Sequence, residues 1–175
     1  MNNADYLEPI LDSLLEREGG YVNHAHDRGG PTNMGITLRT LNEYRGGHVT
    51  VSDVQNLTRD EAIEIYTQVY WKDSGLCELE VGPVVDELLL DMAVHHGPRN
   101  AIRMLQRALR VTDDGILGPV TQAAASAKSP RKLMAGLMAE RLVFFGRLIT
   151  RDPKQASFAH GWMIRMKPFI EDIAA

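Results

Sequence analysis

The sequence predicts a mainly α-helical protein of seven or eight helices, with at most a small β-hairpin near one glycine-rich loop. Three observations predict this fold class. Apolar residues recur at intervals of three and four over most of the chain, which is the period of a helix with one buried face. Residues that start helices, such as Thr58, Pro83 and Pro130, precede these segments, and Gly or Pro follows several of them. Runs that alternate with the period of a strand are short.

Length and composition restrict the class of protein. A chain of 175 residues fits one compact domain or two small ones. No run approaches the roughly 18 apolar residues of a membrane span, so we expect no membrane insertion. Cys77 is the only cysteine, which excludes an intrachain disulfide. The segment Met1 to Glu18 lacks the basic-then-apolar order of a signal peptide, so we expect the chain to be made in the cytoplasm.

The first helix, residues 5–18, carries a carboxylate on an apolar stripe. Leu7, Leu11 and Leu14 recur at helical spacing, and Glu18 takes the next position of that stripe. Partial burial there raises the pKa of a carboxyl group, which keeps a general acid protonated near neutral pH. The alternative interpretation is a solvated glutamate at a frayed helix end.

A glycine-rich loop follows this helix, from residue 19 to residue 36. Four glycines between residues 19 and 30, followed by Pro31, exclude a continuous helix and allow the backbone to approach a ligand closely. The loop also carries polar side chains of the kinds used in acid–base chemistry, namely Asp27, Thr32 and Asn33. The small β-hairpin is expected within this loop or just after it.

Threonines at helix-start positions indicate the next two helices. Thr37 caps the first of them, and Thr58 forms a capping box with Glu61 at the start of the second, which reaches Trp71. The aromatic side chains near the end of that helix, Tyr70 among them, fit core packing better than a wall that stacks on sugar rings.

Pro83 starts a helix that is apolar on nearly all sides, so we expect it to be central and buried. It ends at His95 and His96. Adjacent residues on a helix point about 100° apart, so these two cannot ligate one ion as residues four apart do. Residues 24–27 could in principle form a second site, but no complete ligand set with usual spacing is present, and we expect no metal and no other cofactor. Contact of His95 or His96 with a sugar stays open.

The remaining helices follow residue 97. We expect an amphipathic helix over 99–110, a tight turn at Asp114-Gly115, a helix that Pro119 starts, the longest helix over 130–150, and a last one over 158–166.

The glycine-rich loop resembles the N-acetylmuramidases of glycoside hydrolase family 108, which occur in phage endolysins and have been called secretion activators. The matching parts are Glu18-Gly-Gly-Tyr21, the turn at 27–30, and the segment 32–37, which reads Thr-Asn-Met-Gly-Ile-Thr. Residues 112–121 resemble an element of predicted peptidoglycan-binding segments. The resemblance implies a lysozyme-like fold.

The resemblance also implies site residues. The spacing of Glu18, Asp27 and Thr32 is similar to the catalytic triad of phage-type lysozymes, although Asn33 occupies the strict position of the third member. Either Thr32 or Asn33 would therefore place the attacking water. We expect substrate to be bound by Tyr21, Asn33, Tyr70, His95 and His96.

The leading hypothesis is a muramidase that cuts the β-1,4 bond between N-acetylmuramic acid and N-acetylglucosamine in peptidoglycan. Glu18 would protonate the leaving oxygen, Asp27 would orient water or stabilise positive charge on the sugar, and Thr32 would help place the water. One alternative is a lytic transglycosylase on the same bond, and another is a non-catalytic wall-binding or secretion accessory protein. We expect residues 1–97 to form the catalytic region and 98–175 a helical peptidoglycan-binding segment, packed into the same compact unit.

Charge is distributed unequally along the chain. Residues 1–97 hold 6 Lys and Arg against 17 Asp and Glu, a net −11, and residues 98–175 hold 13 against 6, a net +7. We expect the basic half to bind the anionic cell envelope, with Arg99, Arg103 and Arg107 exposed on one helix face. The alternative is that these residues pair with the acidic half within the fold.

The remaining expectations concern partners and location. The partners expected are the glycan strands of peptidoglycan, with no nucleic acid among them. The resemblance to phage lysins implies release by a holin and action on the cell wall in the periplasm.

Overall fold

The computed structural model describes residues 4–23 and 30–174 and confirms a mainly helical, lysozyme-like fold. Within these residues the α-helices are α1 (Ala4–Glu18), α2 (Leu38–Tyr44), α3 (Val51–Gln55), α4 (Arg59–Ile65), α5 (Pro83–His96), α6 (Pro98–Leu109), α7 (Pro119–Ser126), α8 (Pro130–Arg151) and α9 (Ala159–Ala174). A π-helical segment (Tyr66–Lys72) and two 3₁₀ segments (Leu76–Glu78 and Pro153–Phe158) complete the helical structure described. None of these helices has the length and apolar character that crossing a membrane requires.

The chain divides into two compact units, Met1–Cys77 and Glu78–Ala175. The helix α5 therefore belongs to the second unit, although the sequence predicts a functional boundary at its end. That division into a catalytic region and a wall-binding segment stays a prediction.

The predicted hairpin is confirmed in the first unit. Its strands β1 (Thr32–Asn33) and β2 (Ile36–Thr37) are antiparallel, with Asn33 opposite Ile36. The two residues between them, Met34 and Gly35, have φ values of 47° and 71°. Positive φ at both central positions is typical of the tight turns whose twist matches that of paired strands.

Side-chain caps fix the short helices that follow the hairpin. Thr37 accepts a hydrogen bond from the Thr40 amide (3.1 Å), which confirms its predicted role at the start of α2. The helix α3 exceeds the expected number of helices, and it begins with a full capping box between Thr50 and Asp53 that sequence inspection missed. A five-residue helix is too short for an apolar period to reveal it.

The predicted capping box of α4 is only half formed. Thr58 accepts from the Glu61 amide (3.2 Å), as expected. The Glu61 carboxylate, however, takes two hydrogen bonds of 2.7 Å from the Arg45 guanidinium. A bidentate pair with arginine is stronger than a hydrogen bond from the cap amide, and it holds α4 to the end of α2.

The helix after Thr58 does reach Trp71, but not as one α-helix. The α-helical part ends at Ile65, and Tyr66–Lys72 continues with π-helical hydrogen bonding. Its three aromatic residues Tyr66, Tyr70 and Trp71 are all buried. A π-helical turn contains one residue more than an α-helical turn, which changes the direction of the side chains that follow it.

The helix α5 packs against α6 and α8 in the second unit. Its residues Leu88 to Ala93 are fully buried, which confirms the predicted central helix. One of these residues is Asp91, whose carboxylate binds the guanidinium groups of Arg141 (2.7 Å) and Arg165 (2.8 Å). The side chains of Asp91 and Arg141 have no solvent exposure.

The last helix is longer than the sequence predicts. It was expected over 158–166, but α9 runs to Ala174 and contains Pro168. A proline inside a helix removes one backbone hydrogen bond. Burial of the Phe169 side chain (1% exposed) directly after Pro168 offsets that loss, and the helix continues.

We expect Asp91→Asn to lower the free energy of unfolding by roughly 3–5 kcal/mol, because Arg141 would then be buried without its carboxylate. Urea denaturation followed by circular dichroism measures the change. Asp172→Asn, an exposed position on α9, is the matched control and should stay within about 0.5 kcal/mol of the parent protein. A D91N protein as stable as this control would contradict the assigned role of the ion pair.

Candidate active site

Glu18 is the last residue of α1, at the end of a buried apolar face. The residues of that face are Ile10, Leu11, Leu14 and Leu15, none of them more than 8% exposed. Glu18 itself is partly buried. The helix therefore presents its terminal carboxyl group at the border between core and solvent, as the stripe in the sequence predicts.

Gly35 leaves the space that this carboxyl group occupies. A Cβ on Gly35 would lie 2.6 Å from Glu18 Oε2 and 2.6 Å from the Tyr66 hydroxyl oxygen. Real Cβ atoms do not approach other atoms so closely, so any side chain at position 35 would displace one of the two groups. Two features therefore require glycine at position 35: its positive φ and the lack of space for a Cβ.

Two buried tyrosines line the other side of this space. Tyr66 donates a hydrogen bond to the Met34 carbonyl in the hairpin turn. The Tyr70 ring packs on the Tyr66 ring with centroids 5.5 Å apart, and its hydroxyl lies 3.5 Å from Thr40 Oγ1. Burial raises the pKa of Tyr70; the Thr40 hydrogen bond opposes this rise and the charge of Glu18 adds to it.

Tyr70 was predicted to bind substrate, but only 5% of it is exposed. Its contacts fit the alternative interpretation, core packing.

Tyr21 is partly exposed, next to Val22, which forms a β-bridge with Thr32. This bridge brings the chain after Glu18 back to the hairpin. A substrate-binding role of Tyr21 or Tyr70 stays a prediction.

Thr32 and Asn33 make different contacts in the hairpin. The Thr32 hydroxyl donates to the Gly30 carbonyl (2.9 Å). The Asn33 amide is buried and donates to the carbonyls of Val54 (2.9 Å) and Gln55 (3.2 Å). Asn33 therefore joins the hairpin to the end of α3, and its amide hydrogens are used in doing so.

Asp27 lies outside the described residues, together with His24, His26 and Arg28. Its predicted role beside Glu18 stays a prediction. The described residues contain no group of three or more His, Cys, Asp or Glu side chains that could hold a metal ion.

His95 and His96 lie at the end of α5, where Arg141 of α8 donates to both rings. Arg141 Nε donates to His96 Nε2 (3.0 Å), and its Nη2 lies 3.3 Å from His95 Nδ1. A guanidinium group can only donate, so both of these ring nitrogens must accept. The remaining ring hydrogens are therefore on Nδ1 of His96 and Nε2 of His95. The two rings can offer these N–H groups to a ligand, although their predicted contact with substrate is untested.

The surroundings keep both histidines neutral. Burial lowers the pKa of His95 to about 3, and the charges of Arg165 and Arg141 act in the same direction. Burial and the charge of Arg141 likewise hold the pKa of His96 well below its ordinary value. The Asp91 carboxylate partly opposes this effect at His95.

A buried glutamine organises the turn between α6 and α7. Gln106 donates to Asp114 (2.8 Å) and to the Ile116 carbonyl (3.0 Å), and it accepts from the Gly115 amide (2.8 Å). Gly115 packs on the arginine side chains of α6, because a Cβ there would lie 2.7 Å from Arg99 Cγ. Gln106 of α6 thus holds the tight turn that the sequence predicts at Asp114-Gly115.

The arginines of α6 are less exposed than the sequence predicts. Arg99 is exposed, but Arg103 and Arg107 are partly buried. Arg107 pairs with Asp113 (2.6 Å), and the Arg103 side chain lies against Gly115. These two arginines stabilise the turn that follows their helix, because its backbone folds over the face they occupy. The expected fully exposed row of three arginines is therefore wrong for two of its members.

Comparisons with known proteins agree with these features. The family model described as glycosyl hydrolase 108 matches residues 11–97, and the one described as predicted peptidoglycan domain matches residues 100–167. A solved structure of Brucella abortus SagA is similar, with a TM-score of 0.83 and 33% sequence identity. The match covers 95% of this chain and 92% of that one. No curated protein matches the chain.

We expect the protein to lose stability as the pH falls from about 6.5 towards 3, because His95 and His96 take up protons in the unfolded chain but not in the folded one. Each histidine contributes at most about 1.4 kcal/mol per pH unit. Urea denaturation at a series of pH values measures the slope.

His96→Gln should reduce that slope, because its side chain does not titrate and can still accept from Arg141. His160→Gln, on the exposed side of α9, is the control and should retain the parent slope. An unchanged slope in both His96→Gln and His95→Gln would show that other groups cause the acid sensitivity.

Proposed function

Because the chain belongs to glycosyl hydrolase family 108, we propose that it is an N-acetylmuramidase that cleaves the β-1,4 bond between N-acetylmuramic acid and N-acetylglucosamine. The family makes the chain a glycoside hydrolase, and the predicted peptidoglycan domain makes peptidoglycan its partner. The position of Glu18 is the observation that supports the proposed N-acetylmuramidase activity. Its carboxyl group lies at the end of a buried helix face and in the space that Gly35 leaves beside Tyr66.

Each proposed role follows from the chemistry of glycoside cleavage. Glu18 protonates the oxygen of the leaving sugar. Asp27 orients the attacking water or stabilises positive charge on the sugar ring. The Thr32 hydroxyl helps to place that water. We assign this role to Thr32 and not to Asn33, because the Asn33 side chain is buried and held to the end of α3, whereas Thr32 is partly exposed.

Product analysis can distinguish the proposed hydrolase from two alternative functions. A lytic transglycosylase would cut the same bond with one glutamate, using a hydroxyl group of the sugar as the attacking group. Asp27 and Thr32 in the loop favour hydrolysis, because water must be placed only in that reaction. A non-catalytic accessory protein is disfavoured, because nothing in wall binding requires a carboxyl group enclosed by Gly35 and Tyr66.

The biological setting is part of the same proposal. An endolysin of this type would be made in the cytoplasm, released by a holin and would act on the wall in the periplasm. The resemblance of the loop to phage lysins supports this setting.

Exposed basic residues of the second unit extend the proposal to wall binding. Arg131 and Lys132 are exposed at the start of α8, and Arg147, Arg151 and Lys154 are exposed at its end and just after it. The anionic groups of the cell envelope would attract such a surface and raise the local concentration of enzyme.

We expect Glu18→Gln to fold normally and to lose activity on purified peptidoglycan by on the order of 10²–10⁴-fold, because glutamine keeps the shape but has no transferable proton. Glu16→Gln, an exposed position on the same helix, is the matched control and should retain activity. Release of soluble muropeptides measures the rate.

Mass analysis of the products tests the reaction itself. Reducing-end sugars identify a hydrolase, anhydro-muramic ends identify a transglycosylase, and intact glycan strands identify a binding protein. Near-parent turnover by a well-folded E18Q protein would remove Glu18 from the mechanism.

We expect charge reversal at Arg147, Arg151 and Lys154 to weaken sedimentation with cell walls and to leave the melting temperature nearly unchanged, because these residues are exposed. Binding by the parent protein should weaken from low to physiological ionic strength, where charges are screened over roughly 8 Å. Lys72→Glu in the first unit is the control. Salt-independent binding that the triple variant retains would make the basic residues irrelevant to the wall.

A further inference from the structure

We propose that Tyr66 is a positioning residue that keeps the Glu18 carboxyl group in its acid form, by accepting the hydrogen that Glu18 will transfer to the substrate. The proposal rests on the role of Glu18 as general acid. The sequence offers two interpretations of the aromatic residues of this helix, core packing and stacking on sugar rings. Neither of them gives the Tyr66 hydroxyl group a role in the reaction.

The Tyr66 hydroxyl group carries a single hydrogen. This group makes a hydrogen bond with the Met34 carbonyl, and a carbonyl oxygen can only accept. The hydrogen of Tyr66 therefore points to Met34. Towards any other neighbour, the Tyr66 oxygen offers lone pairs alone.

The neighbour in question is the Glu18 carboxyl group. Glu18 Oε2 and the Tyr66 oxygen both lie 2.6 Å from the point that a Cβ on Gly35 would occupy, so at most twice this distance separates them. A carboxylate at this place would bring its lone pairs towards those of Tyr66. In the contact that we propose, a carboxylic acid donates its hydrogen to the Tyr66 oxygen instead, and this hydrogen bond stabilises the acid form.

Burial strengthens the preference. Tyr66 has no solvent exposure, so water cannot compensate for an unfavourable contact at its oxygen. The proposed contact also orients the carboxyl hydrogen of Glu18, which points to the Tyr66 oxygen until a better acceptor binds. A glycosidic oxygen of bound substrate would be that acceptor.

The hairpin fixes the arrangement from the other side. Met34 and Gly35 form its two-residue turn with positive φ, and this turn presents the Met34 carbonyl to Tyr66. The same turn places Gly35, which has no side chain to fill the space, beside Glu18. One turn therefore orients the tyrosine hydrogen and admits the glutamate.

The reaction cycle then has a defined proton path. Glu18 gives its hydrogen to the leaving oxygen as the glycosidic bond breaks. The attacking water adds its hydroxyl group to the sugar, and the proton that it releases restores the acid form of Glu18. The carboxylate left behind faces the lone pairs of Tyr66. Its return to the acid form is favoured, and the enzyme is ready for another turnover.

The test is the pH dependence of kcat/KM for Tyr66→Phe. Activity of a general acid is lost as the pH rises, so the alkaline limb of the profile reports the acid form of Glu18. We expect Y66F to move this limb to lower pH by about one unit, the equivalent of one hydrogen bond of about 1–1.5 kcal/mol. KM should change little, because buried Tyr66 does not contact substrate.

Tyr44→Phe is the matched control, because its hydroxyl group donates to a different carboxylate, that of Glu64, on the surface of the same unit. Its alkaline limb should coincide with that of the parent protein. A Y66F limb that also coincides, even with reduced activity, would overturn the proposal and leave Tyr66 as a support for the hairpin. The E18Q experiment fails or succeeds independently of this outcome.

A measurement on the parent protein covers the case in which Y66F does not fold. Infrared spectra at neutral pH should contain the C=O band of a protonated carboxylic acid, and the E18Q protein should lack it. A difference spectrum without this band, at a pH where the enzyme is active, would equally overturn the proposal.

Discussion

The hydrogen bond from the Tyr66 hydroxyl to the Met34 carbonyl is the contact on which the candidate site depends. It joins the only hairpin of the described residues to the helical segment that follows α4. Because the bond uses the tyrosine hydrogen, the acid form proposed for Glu18 depends on it. The positive φ of Met34 is unusual for a residue other than glycine, and this bond is one contact that holds the turn in that conformation.

In the second unit, a buried carboxylate is compensated by ion pairs with arginine side chains. Asp91 lies between Arg141 and Arg165, and Arg141 extends the network to two neutral histidines. Desolvation of these groups offsets much of the attraction between their charges, so the network adds little net stability even though removal of one partner is costly. The stacked rings of Phe145 and Trp162, with centroids 4.5 Å apart, enclose the same region between α8 and α9.

The apolar period and the capping residues were sufficient to predict most helices and the position of Glu18, because both signals are local. The half-formed box at Thr58 was not predictable, because Arg45 competes for Glu61 from another helix. Gly35 and Tyr66 were missed as a pair for the same reason, since only the fold brings them together. A signal for the buried ion pair was present: Arg141 interrupts the stripe of Leu133, Leu137 and Phe145, as Glu18 interrupts that of α1.

The π-helical segment Tyr66–Lys72 has a consequence for how this sequence can vary. A π-helical turn contains one residue more than an α-helical turn. Loss of one residue within it would allow a continuous α-helix with regular hydrogen bonds and about 100° per residue, and the directions of Tyr66, Tyr70 and Trp71 relative to one another would change. A chain with one residue fewer in this segment would therefore gain a more regular helix and lose the present arrangement of aromatic side chains beside Glu18.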